Sequence, residues 1–438
     1  MICYYYPPMN TGGVERSVNF ARYLPESGWS PIVLTTNLYG SSDGANGERI
    51  IRANEVRSVY QGLATGARRL LRGNGRTDAQ LHLPPSNGML KRITPEWIDR
   101  WLMIPDGHIK WCVFAFWPAL GLIRRGEADL IYTTSPPASS HLLGLVLKKL
   151  TKKPWVMDLR DPWTFEALSP HLHSECLRLS LERRLERLCL ANADAVVTNT
   201  PQSAAAYAQL YPEAADKIIT VTNGFDPEEI EKARRSLNQP GPWKPIRDGV
   251  FVITHAGTFS RFETSDPTPY PLLEALKRLL DDGTISPDNC RIVFAGPAYP
   301  RTKLRIRELG LHELVDLPGM VSHDDALRLM LRSDLLLVYD GNTAGSSAYT
   351  HGKIYEYLAC GKPILGLLPD GASRTLMKET GCALLAPPDD PEEIRRVLRQ
   401  AIRGDNTPGP QAAVDLRRYD RRNLAKSLAG LMDKHTGR

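Results

Sequence analysis

Short apolar runs separated by helix-length amphipathic intervals constrain this chain more than any other feature. The first block holds ICYYY (residues 2–6), PIVLTT (31–36), DLIYTT (129–134), PWVMD (154–158), DAVVTN (194–199) and IITVTN (218–223). None alternates cleanly between apolar and polar, which is the pattern of strands buried on both faces of a parallel sheet. Strand–helix alternation then predicts βαβ units in a doubly wound sheet. The rhythm restarts with VFVITHAG, RIVFAGP, LLLVYD, PILGLLP and CALLAP between residues 250 and 387.

Between the blocks, residues 226–249 are charged, then rich in Pro and Gly, and read as a linker. The expected organisation is an α/β chain with two Rossmann-like doubly wound domains. One covers residues 1–228, with an insertion at about 60–100 that matches no βα unit. A linker at 229–248 leads to the second domain at 249–412, and 413–438 carry a final helix. In the helix after DDPEEIRRVLRQAI begins, Asp390 is the expected N-cap and Pro391 the first helical residue. A length of 438 residues suits such a two-domain chain.

Two tandem sheets leave a cleft, and ligands of such sheets bind beyond the strands' carboxyl ends. After the first run, Gly12 and Gly13 open a helix, as a phosphate-accommodating loop or a plain Gly-rich turn. DLRDPW places Asp158, Arg160, Asp161 and Trp163 at a strand end, as site residues or an internal Arg–Asp pair shaping the loop. Ser135 opens SPPASS at the mouth of the same cleft. In the second block, Gly257, Thr258 and Arg261 follow one strand and Gly296 the next, and glycine turns with an Arg suit phosphate. Small residues before Lys353, with Tyr349 and Thr350, lead into a helix start that suits a pyrophosphate. Glu356 lies one turn inward, placed to accept two ribose hydroxyls.

The formal charge of +6 fits an anionic small molecule or membrane surface and is too dispersed to indicate nucleic acid. Seven scattered cysteines without a Cys-x-x-Cys pair suggest a reducing compartment and no structural zinc. His171 and His173 flank a Leu in an expected loop with no third metal ligand in view. The opening MICYYYPPMNTGGVERS lacks the charged region and long apolar core of a signal peptide. The most apolar run, residues 111–123, is too short to span a bilayer. A cytoplasmic enzyme is expected. The lysines of VLKKLTKKP (Lys148, Lys149, Lys152, Lys153) are either a solvated helix end or a peripheral contact with the inner face of the cell membrane.

Together, YYYPPMNTGGVERS, DLRDPW, NGFD (223–226), HAGTF, FAGP and HGKIYEYLACGKPIL resemble the GT-B glycosyltransferases of family 4, across nearly the whole chain and in order. The resemblance implies transfer of a sugar from a nucleotide-diphosphate sugar, usually with retention, without a bound metal or other cofactor. It also implies an acceptor on the N-terminal side, a donor on the C-terminal side, and a last helix returning to the first domain. A glycan or lipid-linked acceptor in surface-polysaccharide assembly is the implied partner. By the same resemblance Gly12 and Gly13 belong to the loop near donor phosphate and acceptor, Arg261 to the leaving diphosphate, and Glu356 to the ribose. The chain departs from the family at Ala348, where a first glutamate is usual, and lacks the usual lysine after Arg261, for which Lys353 is the candidate. It also lacks the central histidine, whose place falls to Arg160 or Asp161. Strand one looks clipped, which raises a start upstream of Met1. The alternatives are a sugar-nucleotide 2-epimerase of the same architecture and a non-catalytic nucleotide-sugar binding protein.

Overall fold

The computed structural model describes residues 1–9, 13–40, 47–55, 103–165, 176–258, 269–341, 348–405 and 415–437. The expected insertion at 60–100, Gly12, Arg261, His171 and His173 lie outside these residues. The described chain divides into two compact units. The first comprises Met1–Thr164, His171–Val197 and Ala429–Arg438, and the second Phe165–Pro170 and Thr198–Leu428.

In the first unit, β1 (Ile32–Thr36) pairs in parallel with β2 (Arg49–Ala53), and β3 (Ile131–Ser135) pairs in parallel with β4 (Trp155–Leu159). The order continues from β4 to β5 (Ala195–Thr198) and then β6 (Ile218–Thr220). Ile2 joins the two sets by bridging Leu34 of β1 and Thr133 of β3. The expected strand at residues 2–6 is thus reduced to single bridges in the sheet's middle. Every residue of β3, β4 and β5 is buried, the polar Thr133, Thr134, Ser135, Asp158 and Thr198 included, as strands covered on both faces require. The last residues of the final helix, Arg421–Thr436, belong to this unit, and Trp29 donates its indole N–H to Asp433 Oδ1 at 2.9 Å.

The second unit carries a six-stranded parallel sheet. Its strands are β7 (Phe251–Ala256), β8 (Cys290–Ala295), β9 (Val315–Gly319), β10 (Leu335–Tyr339), β11 (Ile364–Leu367) and β12 (Ala383–Ala386). Their order, β12-β11-β10-β7-β8-β9, reverses direction between β7 and β10. Alternate residues of β10 face opposite layers. Leu335 and Leu337 pack with the helices Tyr270–Asp281 and Pro391–Arg403, whereas Leu336 and Val338 pack with His323–Arg332 and Gly352–Cys360. Both faces are therefore covered by amphipathic helices.

Two strands escaped the sequence reading, β2 and β9. Both are edge strands with half-exposed residues, and β9 carries Pro318, so neither shows an apolar run. Part of the expected linker is a helix, Pro227–Arg235, capped by Asp226 accepting from Glu228 N, with Pro227 at the first position. Its N-terminal chemistry is that of the helix Pro391–Arg403, where Asp390 accepts from the amides of Glu392 and Glu393.

Candidate active site

The strand order reverses between β7 and β10, and doubly wound sheets bind ligands beyond the carboxyl ends of the strands at such a point. Gly257 leaves β7 with φ +118°, and Gly296 leaves β8 beside it. A methyl added at Gly296 would overlap the carbonyl oxygen of Gly257, so the two turns meet through bare backbone. A methyl at Gly257 would stand 2.8 Å from Lys353 Nζ. Lys353 comes from the first turn of the helix Gly352–Cys360, whose N-terminus no side chain caps. The ammonium, the bare glycine turns and the helix's positive end therefore share one place.

His255, the penultimate residue of β7, orients that ammonium. Its Nδ1 lies 3.0 Å from Leu337 O and its Nε2 lies 3.3 Å from Lys353 Nζ. The carbonyl can only accept and the ammonium can only donate, so the ring carries its proton on Nδ1. Burial, and secondarily Lys353, push the His255 pKa well below its ordinary value, which keeps the ring neutral. Asp340, just after β10, receives hydrogen bonds from Tyr349 Oη (2.6 Å) and Gly341 N (3.0 Å), with His351 Nε2 at 3.0 Å. The predicted donor residue Tyr349 thus gives its hydroxyl to Asp340, and Thr350 is buried next to it. Thr258 O also lies near Nε2 of His255, at 3.4 Å, but the shorter contact there is the Lys353 ammonium, which can only donate, and it leaves no ring proton for that carbonyl.

Glu356, one turn beyond Lys353, faces a different group. Its Oε1 lies 3.9 Å from His323 Nε2 and 3.8 Å from Arg421. Glu229 approaches the same two residues, at 3.2 Å from His323 and 3.6 Å from Arg421, and Arg421 Nε donates to Gly224 O at 3.2 Å. Lys353 and Glu356 therefore face separate surroundings. Sequence reasoning missed His255, Asp340, His351, His323 and Arg421. His255 in HAGTF and Asp340 in LLLVYD stand at strand ends, the one signal that could have flagged them.

In the first unit the structure gathers some of the predicted residues and withdraws others. Arg160 reaches the carbonyl of Gly13, and a methyl on Gly13 would stand 2.6 Å from the guanidinium. Asp161 Oδ2 lies 3.5 Å from Arg160 Nε, so Gly13, Arg160 and Asp161 form one cluster. Asp158 is not an open acceptor ligand. Its carboxylate is wholly buried and takes hydrogen bonds from Arg16 Nε and Nη2 (3.0 and 2.9 Å), Tyr132 Oη (2.6 Å) and Thr134 Oγ1 (2.9 Å). Burial opposes its charge, but Arg16 and these donors outweigh it and hold its pKa below the usual value. Trp163 is likewise buried, its indole N–H given to Glu182 Oε2 at 3.0 Å. Ser135 is buried at the end of β3 with a hydroxyl that has no hydrogen-bond partner among the described residues.

A Glycosyl transferase 4-like domain matches residues 11–224, and a Glycosyl transferases group 1 domain matches residues 269–421. No curated protein matches the chain in sequence. Among solved structures, the chain is similar to HepE of Anabaena in complex with UDP and glucose, with 17% identity over 99% of this chain and 98% of that one, TM-score 0.62. It is similar to the sucrose-phosphate synthase of Thermosynechococcus elongatus, with 16% identity over 99% and 97%, TM-score 0.63. It is also similar to WaaG, a glycosyltransferase involved in lipopolysaccharide biosynthesis, with 14% identity over 98% of each chain and TM-score 0.58. These identities speak to the fold. The two domain matches, in order along the chain, speak to the family.

Proposed function

Because this chain belongs to the family 4, group 1 glycosyltransferases, we propose that it transfers a sugar from a UDP-sugar to a glycan or lipid-linked acceptor of surface-glycan assembly. UDP is the first choice of nucleotide because the similar HepE structures hold UDP, UDP with glucose, or UDP-glucose. One observation carries the donor assignment: Lys353 stands against the bare backbone of Gly257 while Glu356, one turn on, turns to a separate polar group.

In this reading the diphosphate lies along Gly257 and Gly296, the start of the helix Gly352–Cys360, and Lys353. Negative charge gathers on the departing phosphate oxygen as the sugar C1–O bond breaks, and fixed positive charge there lowers the barrier. Arg261 would add to it. The acceptor hydroxyl bonds to C1 on the face the diphosphate leaves, and its proton passes to the departing phosphate oxygen. The electron pair of the broken bond stays with the phosphate, so no protein nucleophile and no metal are required. Gly13, Arg160 and Asp161 would hold the acceptor at the inner face of the membrane. If Asp161 instead takes the acceptor's proton as a general base, the product inverts.

Thermal unfolding with a panel of UDP-, GDP- and dTDP-sugars tests the donor, since a bound ligand stabilises by mass action. UDP-sugars should raise the midpoint, and Glu356→Ala should abolish that rise. Unchanged stabilisation in Glu356→Ala would remove the ribose assignment. The anomeric coupling of the product separates retention from inversion.

A further inference from the structure

The helix Ile109–Arg124 is apolar on both sides. One side, with Trp111, Ala115, Leu120, Leu122 and Ile123, is buried in the first unit. The other sets Lys110, Val113, Phe114, Trp117, Gly121 and Arg124 at the 3- and 4-residue spacing of one face. In its middle Val113 is 63% exposed and Trp117 68% exposed, and Phe114 lies between them. The neighbouring helix Ser139–Thr151, which packs beside it, leaves Val146 and Leu150 exposed next to Lys149. No helix among the described residues is long and apolar enough to cross a membrane.

We propose that this face lies in the plane of an anionic lipid surface, with Trp117, Phe114 and Val113 entering the headgroup boundary. The proposal deepens the reading that the acceptor is lipid-linked and rests on it for its biological setting. Aromatic side chains framed by cations are the chemistry of an interfacial helix. Lys110 and Arg124 close the apolar stripe at its two ends, while Lys149 lies exposed on the adjoining helix and Lys152 exposed just past its end. Of the lysines singled out in the sequence, Lys148 is held by both oxygens of Asp194 and Lys153 lies 3.8 Å from Asp129. The acids nearby are engaged too, with Glu127 paired to Arg49 and Arg125. Lys149 and Lys152 therefore remain to meet anionic headgroups. A second copy of the chain fits this face less well, because a two-fold contact would set the same cations against one another.

The test is sedimentation of the full chain with phosphatidylcholine vesicles, with and without phosphatidylglycerol. The protein should pellet with the anionic vesicles, and less so as salt rises. Val113→Ser/Phe114→Ser/Trp117→Ser should lose that binding by about tenfold or more, and Lys149→Glu/Lys152→Glu by at least about tenfold, since each basic residue near such a surface contributes about fivefold. Thermal midpoints and UDP-induced stabilisation of both variants should stay at the wild-type level, which separates this surface from the donor site. No preference for anionic vesicles, or a triple-serine variant that pellets like wild type, would overturn the proposal. So would light scattering that shows a wild-type dimer dissociated by the triple-serine change. Loss of transferase activity on every acceptor would defeat the acceptor reading and leave vesicle binding intact.

Discussion

Gly296→Ala is the sharpest test of the proposed donor site, because one methyl must disturb two loops at once. The added Cβ would overlap the carbonyl oxygen of Gly257, and would stand 2.5 Å from its carbonyl carbon and 3.2 Å from its Cα. Carbon atoms pack best at about 3.5–4.0 Å, so the two turns must part by about 1 Å. Gly257 N also donates to Ala295 O at 2.8 Å, so parting the turns strains the first rung beyond the strands. Overpacking of this kind costs about 1–3 kcal/mol. In a unit of this size, 2 kcal/mol lowers the melting midpoint by about 4–8 °C. A 1 Å misplacement beside the reacting phosphate should cost about a hundredfold in kcat.

Gly257→Ala should behave differently. Its Cβ meets only the flexible end of Lys353, but φ +118° strains an alanine by about 1–3 kcal/mol. Its effect on turnover runs through Lys353, so it should largely vanish in a Lys353→Met background, a non-additivity that a double-mutant cycle reads directly. Unfolding by calorimetry, UDP-sugar titration and initial rates would measure all three variants. If Gly296→Ala binds UDP-sugar and turns over like wild type, the diphosphate does not lie on these turns and the mechanism above fails.

The buried histidines set a pH dependence. Burial pushes the His141 pKa down to about 3, and that of His255 well below its usual 6.5. The unfolded chain therefore takes up protons that the folded protein refuses, and stability that is full above pH 6.5 falls as the pH drops below it. At pH 5 each site should cost about 2 kcal/mol, and His141→Gln should remove about half of the total loss in denaturant titrations at pH 7 and 5. A flat profile would refute the assignment. Arg421→Gln should raise the donor KM about fivefold, about 1 kcal/mol, with kcat little changed. Arg421→Lys should recover part of this because it keeps the charge but not the fork to Gly224. Asp158→Asn leaves the Arg16 charge buried and should cost about 3–5 kcal/mol of stability without altering UDP binding, checked by melting and titration.

Both sheets were legible because strands buried on two faces leave mainly apolar runs without strict alternation, as β4, β7 and β10 do. Edge strands leave no such trace, and β2 and β9 went unread for that reason. At the candidate site, the positions of Gly257, Lys353 and Glu356 were legible because each sits at a strand end or helix start, where position along the chain implies position in space. Asp158 obeyed the same rule and misled, since its partner Arg16 lies 142 residues away and closes it off. The roles of His255, Asp340 and Arg421 were illegible for a matching reason. Those roles come from partners such as Leu337, His351 and Gly224, and no local pattern announces a contact made across the fold.

The second unit's charged group owes its direction to that kind of distant partner. Lys353 Nζ is 98 residues from His255, yet the ring's tautomer leaves a lone pair that only a donor can meet. Leu337 O, on the neighbouring strand β10, fixes the tautomer, and pairing of β7 with β10 fixes Leu337. The same pairing marks the point where the strand order reverses. Strand order, imidazole tautomer and ammonium direction are thus successive consequences of one sheet topology. In the proposed reading, the nucleotide end of the site is built into the sheet in this way. The sugar end is not: Ala348 offers no carboxylate there, and its carbonyl is taken by Thr200 Oγ1, whose hydroxyl oxygen also caps the helix Pro201–Leu210. A donor series that varies the sugar on a constant UDP should accordingly shift kcat and KM far more than it shifts the stabilisation that UDP alone produces.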